Sequence, residues 1–351
     1  MNSVSKVLEV IHSWNPPEGW QKISVLDAHT GGEPLRIVLA GLPEMKGDTV
    51  LERRTFMKNN FDHLRRALMF EPRGHADQYG AVVMPHCSPD ADFSVLFLHN
   101  EGYSTMCGHA IIALTTVMLE TGAVEMQYPE TTLRIEVPSG IVTAMAECRH
   151  GRVTNVRFHN VPSFASMLGE KVHVPGLGQI TFDLGFGGAF YAYVDAKACG
   201  VRMVPQHYRD LIEVGKAIKK AIIENFPIIH PFEKDLSFLY GTIFLGPAMT
   251  PGVDSRNVCI FADGEVDRSP TGSGVAGRMA IHHAKGELKI GQKMTIESLL
   301  GSVFTGSVVE TTTFGPYEAV IPQVEGQAWI SGTAKFYIDP NDPFKEGFIL
   351  R

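Results

Sequence analysis

The chain lacks the pairings that would give its cysteines a structural job. Cys87, Cys107, Cys148, Cys199 and Cys259 are odd in number and scattered, with no C-x-x-C pair. That excludes a disulfide framework and the common structural zinc spacings, and fits a reducing compartment such as the cytoplasm. No apolar stretch approaches the roughly 18 residues that a membrane-crossing helix needs. Trp14, Pro16, Pro17 and Glu18 interrupt the N-terminal region, and no basic segment precedes an apolar one, so no secretory signal is expected. The glycine-containing turn His29-Thr30-Gly31-Gly32-Glu33-Pro34 lacks the G-x-G-x-x-G or G-K-[ST] pattern of a phosphate site. Fourteen histidines include no H-E-x-x-H, so no metal is expected. A basic excess is missing too: 31 Lys+Arg against 38 Asp+Glu give a net charge of −7, the wrong sign for nucleic acid.

What is present is ordinary globular composition, 44% apolar and 20% charged, in a chain of 351 residues. At about 100–200 residues per domain this predicts two domains. Thirty-five glycines and 21 prolines point to many turns, as in a strand-rich α/β chain.

The most informative feature is an internal repeat. Asp92 opens an apolar run, D-F-S-V-L-F-L-H, followed by a loop and Met106-Cys107-Gly108-His109-Ala110. Asn257 opens a second run, N-V-C-I-F-A, followed by a loop and Pro270-Thr271-Gly272-Ser273-Gly274. Phe97 stands as far before Cys107 as Phe261 stands before Thr271. An apolar helical stretch follows each motif and ends at a glycine, Gly122 or Gly286, a common stop signal. A strand-like segment comes next, Leu133–Val137 or Met294–Glu297.

These spacings predict two related α/β domains, residues 22–164 and 165–337, each a curved sheet around one central helix with the site in the cleft between them. The junction is expected between about Pro162 and Pro175, and residues 338–351 are expected to return to the first domain. A further helix is expected over Tyr208–Asn225, and the helix after Cys107 is apolar on most faces and should be buried.

Cys107 falls at a predicted helix N-terminus, where unpaired N–H groups and the helix dipole favour negative charge. Such a position is expected to lower the thiol pKa toward neutral, and the same N–H groups can hold a carboxylate. The competing reading is a buried structural cysteine acting as a small hydrophobe. Thr271, the equivalent residue in the second half, reads either as a capping acceptor or as a contact to substrate. Ser269 is expected to be the N-cap of that helix with Pro270 at N1. Asp267 then either favours the dipole or pairs with a substrate ammonium.

The stretches His29-Thr30-Gly31-Gly32-Glu33-Pro34-Leu35-Arg36-Ile37-Val38, Met106–Ala110 and Asp267–Gly274 resemble the proline racemase family, whose members share the diaminopimelate epimerase fold. The resemblance covers nearly all of the chain after about Val25. It implies a homodimeric, cofactor-independent enzyme acting on a proline-like substrate. Cys107 would accept the α-proton, Gly108, His109, Gly272 and Ser273 would contact the substrate carboxylate, and Asp267 would hold the ring nitrogen. Racemases and epimerases of the family carry a cysteine in both motifs, and this chain has Thr271 in the second. That departure resembles the branch that dehydrates trans-3-hydroxy-L-proline, and the phrases Phe70–His75 and His99–Tyr103 are similar to it as well.

Stereochemistry agrees with that implication. In trans-3-hydroxy-L-proline the α-hydrogen and the 3-hydroxyl both lie opposite the carboxylate and therefore share a face. One thiol on that face can take the proton and return it to the departing oxygen, so no second base is required. Two alternatives remain: a racemase or epimerase in which a water held by Thr271 replaces the second cysteine, and an amino-acid-binding module without turnover.

Overall fold

The computed structural model describes residues 3–350. After α1 (Ser3–Ser13), strands β1 (Gln21–Thr30) and β2 (Glu33–Ala40) form a hairpin. Its turn uses Gly31 and Gly32 at φ 59 and 93, a region costly for side-chain-bearing residues. Helix α2 (Val50–Met69) starts at a reciprocal Thr49–Glu52 capping box. Then come β3 (Gly80–Met84), β4 (Phe93–Leu98), β5 (Tyr103–Ser104), α3 (Gly108–Glu120), β6 (Glu130–Val137), β7 (Gly140–Arg149) and β8 (Arg152–His159).

The second lobe repeats the plan. It contains β9 (Ser163–Val174), β10 (Gly178–Phe186), β11 (Phe190–Asp195), α4 (Tyr208–Asn225), β12 (Leu239–Gly246), β13 (Ser255–Phe261), β14 (Glu265–Val266) and α5 (Gly272–Ala284). β15 (Lys293–Glu297), β16 (Val303–Phe314), β17 (Tyr317–Gly326) and β18 (Ala328–Ile338) complete the chain. In the first lobe β2 runs parallel to β3 and β4 to β6. In the second the matching pairs, β11 with β12 and β13 with β15, are parallel as well.

The repeat extends to side chains that no sequence period reveals. Near the end of β6, Glu136 accepts from the backbone N–H groups of Cys87 (2.8 Å) and Ser88 (3.1 Å) in the loop before β4. At the end of β15, Glu297 accepts from those of Met249 (2.7 Å) and Thr250 (3.4 Å) in the loop before β13. Burial alone would raise the Glu297 pKa, but Arg256 at 3.0 Å and these N–H donors pull it down to about 2.

Strand pairing defines both boundary segments. The segment taken as the junction is strand β9, hydrogen-bonded to β10 and β17. The strand returning to the first lobe is β18, which pairs with β1 from Gln21↔Ile338 to Thr30↔Ala328, so the return begins well before residue 338. Local composition carries no signal for either, because both depend on partners distant in sequence.

The strands, joined into one continuous sheet through the pairing of β17 with β8 and β9, curl around the two helices. α3 packs against β8, β1, β7, β2 and β18, and α5 against β9, β10, β11, β16 and β17. Ile111, Ile112, Leu114 and Val117 of α3 are buried, each contributing on the order of 1.5–3 kcal/mol. The left-handed residues Gly122 (φ 75) and Gly286 (φ 73) stop the two helices, as their positions predicted. α4 spans Tyr208–Asn225, matching the expected range. Among the described residues no helix is long and apolar enough to cross a membrane.

Candidate active site

The two central helices meet head to head. A Cβ placed on Gly108 would lie 2.5 Å from Gly272 Cα, and one on Gly272 would lie 2.6 Å from Gly108 Cα. Only glycine at both positions lets the helix starts touch, and this brings two sets of unpaired N–H groups to one point. A small, almost closed pocket of about 10 Å³ lies there. Its lining contains every residue expected from sequence: Cys107, Gly108, His109, Asp267, Thr271, Gly272 and Ser273. Larger grooves run along α2, but their walls hold neither helix start.

Cys107 is the N-cap of α3, and its carbonyl accepts from Ile111 N–H at 3.1 Å. Its side chain makes no capping bond, so the sulfur is left to the pocket, where the residue is 5% exposed. The thiol pKa runs opposite to expectation. Burial pushes it well above its ordinary value, the Ala110 N–H and the Tyr79 hydroxyl draw it down, and the Asp267 and Glu33 carboxylates push it up again. Desolvation outweighs the helix end because the site is closed. The ligand-free thiol is protonated at neutral pH.

On the other side stands Thr271, the N-cap of α5, at φ 68 and ψ 93. A β-branched residue in that region is a true outlier. The strain is held by a short ladder: Thr271 N–H donates to Ser269 Oγ (3.1 Å), Ser269 N–H to Asp267 Oδ1 (2.7 Å), and Asp267 N–H to the Cys259 carbonyl (3.0 Å). Ser269 is therefore not the N-cap, and Pro270 is not the first helical residue. Nor does Thr271 cap with its hydroxyl: Oγ1 is buried with no partner in hydrogen-bond geometry, although the Asp267 carboxyl and the Cys259 sulfur lie close enough to feel it. The capping reading falls for the Thr271 hydroxyl, whereas Asp267 Oδ1 does accept a backbone N–H in the approach to α5. A buried hydroxyl without a partner is a group waiting for one.

Burial raises the Asp267 pKa, while the Ser269 N–H bonded to Oδ1 and the nearby Thr271 hydroxyl restrain it. Tyr191 OH lies 2.7 Å from Ser273 Oγ, and Tyr193 OH donates to the Gly274 carbonyl at 2.7 Å, fixing the first turn of α5. Across the pocket, Thr30 Oγ1 donates to the His109 carbonyl at 2.8 Å, fixing the first turn of α3. Tyr79, Tyr240 and Phe261 close the apolar side. These aromatics and Tyr191 were not foreseen: they come from separate strands with no local motif. Glu33 lay in a noted turn yet carried no assigned role. It is fully buried, and Oε2 accepts from Arg268 N–H at 2.7 Å, joining the β1–β2 turn of one lobe to the α5 approach of the other. Arg268 also pairs with Asp77 at 2.9 Å.

The chain is 48% identical over 352 residues to a Colwellia psychrerythraea protein named trans-3-hydroxy-L-proline dehydratase, covering 99% of both chains. It is 48% identical over 349 residues to the human protein of that name, covering 96% of this chain and 97% of the other. Among solved structures, a hydroxyproline epimerase from Agrobacterium vitis with bound trans-4-hydroxy-L-proline superposes at a TM-score of 0.90 and 32% identity, over 95% of this chain and 96% of that one. The family model described as proline racemase matches residues 25–349, and the chain belongs to the proline racemase family.

Proposed function

We propose that this chain dehydrates trans-3-hydroxy-L-proline to Δ1-pyrroline-2-carboxylate. The observation that carries the reading is the asymmetry of the pocket: a sulfur, Cys107, on one side of the paired helix starts and only a hydroxyl, Thr271, on the other. The names of the relatives at 48% identity support the same substrate and reaction.

In this reading the backbone N–H groups of Gly108, His109, Gly272 and Ser273 hold the substrate carboxylate, and Asp267 holds the ring ammonium. The arriving cation neutralises the carboxylates that raise the Cys107 pKa, so binding itself favours the thiolate. The thiolate takes the α-hydrogen. Helix N-terminal donors stabilise the negative charge that spreads onto the carboxylate. The 3-hydroxyl, on the same face as the sulfur, then leaves as water. Thr271 contacts the opposite face and need not ionise. The enamine product tautomerises to the pyrroline. By family resemblance the active unit is a homodimer, and the scattered, odd cysteines fit a reducing cytoplasm.

The likeness to an epimerase structure favours a second reading, in which a water held by Thr271 serves as the second base. Incubating purified protein with each proline and hydroxyproline stereoisomer separates the two. Dehydration gives a pyrroline that reacts with o-aminobenzaldehyde. Epimerisation gives inverted substrate carrying solvent deuterium at Cα and no pyrroline.

A further inference from the structure

A lone thiol leaves one proton unaccounted for. In the ligand-free site Cys107 is a thiol, and no lysine or arginine is among the groups that shift it. Something must take the S–H proton before the sulfur can act as a base, and something must protonate the hydroxyl as it departs.

The residue best placed is two positions on. His109 Nδ1 lies 3.1 Å from Cys107 Sγ, and Nε2 lies 3.7 Å away. These two distances put the sulfur over the ring face near Nδ1. Rotation about the Cβ–Cγ bond brings the Nδ1 lone pair into line, an adjustment of the kind catalytic pairs make when ligand binds. The ring is 3% exposed, packs edge to face on Tyr79 at 4.8 Å and faces the Pro34 carbonyl. Burial holds its pKa down at about 3, so the ligand-free imidazole is neutral and able to accept. The other titratable groups around the pair are Tyr79, Tyr240, Asp267 and Glu33. The tyrosine hydroxyls, raised by burial, are poor acceptors, and Asp267 and Glu33 act on the thiol through charge alone, whereas His109 Nδ1 is in direct contact with the sulfur.

We infer that the His109 imidazole is a catalytic residue that takes the Cys107 thiol proton when substrate binds and gives it to the departing 3-hydroxyl. This rests on the dehydratase reading above, and it assigns the ring a role separate from that of the His109 backbone N–H. The proton count closes. The S–H bond breaks and its proton moves to Nδ1. The thiolate takes the α-hydrogen, forming a new S–H bond while the Cα–H pair delocalises into the carboxylate. That pair then forms the Cα–C3 double bond as the C3–O bond breaks, and the oxygen leaves with the proton from Nδ1. Water and enamine result, and the neutral thiol and neutral imidazole of the ligand-free site are restored without a separate reset step.

The experiment compares wild type with His109→Asn and His109→Gln, each checked by thermal melt for folding. The expected result is a fall in kcat of about 10²–10⁴-fold, the usual worth of a general acid–base. KM should stay within about threefold because the carboxylate contacts are backbone ones, and the acidic limb of the kcat–pH profile should disappear. A folded variant whose kcat and pH profile match wild type overturns the inference, as does loss of that limb in Tyr79→Phe instead. A second measurement is independent of turnover: the rate of Cys107 alkylation by iodoacetamide against pH, read on the Cys107 peptide by mass spectrometry. Slower alkylation in both His109 variants supports the pair even if the substrate proves different, whereas an unchanged rate overturns it even if dehydration is observed.

Discussion

Gly108 and Gly272 touch: each would drive an added Cβ to within 2.6 Å of the other's backbone. Backbone atoms on both sides leave no side chain to swing away. Gly108→Ala is therefore expected to wedge the helix starts apart and lower stability by about 1–3 kcal/mol, as overpacking does. Substrate affinity should fall more than kcat, because the carboxylate cradle is what opens. A melting curve and a KM–kcat comparison check this; an alanine variant with wild-type KM would contradict the cradle.

Cys107→Ser tests the base. A hydroxyl is a far weaker base than a thiolate, and turnover is expected to fall by at least about 10³-fold, within the range for a lost acid–base group. Binding should persist, since no contact to the carboxylate is removed. Isothermal titration with substrate, alongside pyrroline formation, reads both; dehydration at the wild-type rate would end the proposal.

Thr271→Cys restores a sulfur on the second face. The site is expected to gain exchange of the α-hydrogen with solvent from that side and some inversion of hydroxyproline substrates lacking a 3-hydroxyl. Deuterium incorporation into recovered substrate is the readout. The change also replaces a β-branched residue at φ 68, so stability should not drop. Absence of any exchange would mean that residues beyond Thr271 separate dehydration from inversion.

Glu33→Gln gives a pH signature. Burial, with Asp267 close by, holds the Glu33 pKa well above 4.5, its unfolded value, while the Arg268 charge and N–H lower it. A carboxyl with a raised folded pKa favours the fold below the unfolded pKa and loses that contribution as pH rises through the folded one. Glutamine does not titrate. The melting temperature of the variant is thus expected to gain on wild type as pH climbs from 4.5 through neutrality. A difference that stays constant with pH would show that Glu33 is not the buried acid described.

The sequence was most legible where chemistry is local. The start of α3 at Cys107, both glycine stops and the Tyr208–Asn225 helix follow from short patterns and match expectation. Illegibility begins where the answer depends on distant partners. Ser269 had the right residue type for an N-cap, yet its hydroxyl serves Thr271 N–H one step earlier in the ladder. The direction of the Cys107 shift turned on desolvation, which only the assembled aromatics Tyr79 and Tyr240 and the neighbouring lobe create. Helix α2 was missed because its polar faces mask the period, leaving its Thr49–Glu52 capping box as the one local clue.

The near-twofold relation between Cys107 and Thr271 also decides what the pocket cannot process. A D-configured proline seated by its carboxylate in the same cradle points its α-hydrogen at the hydroxyl and away from the sulfur. Such a mirror-image ligand will be admitted and released unaltered. On the proposed assignment handedness follows from the reagent missing on the Thr271 side, and D-isomers are expected to inhibit competitively without giving product.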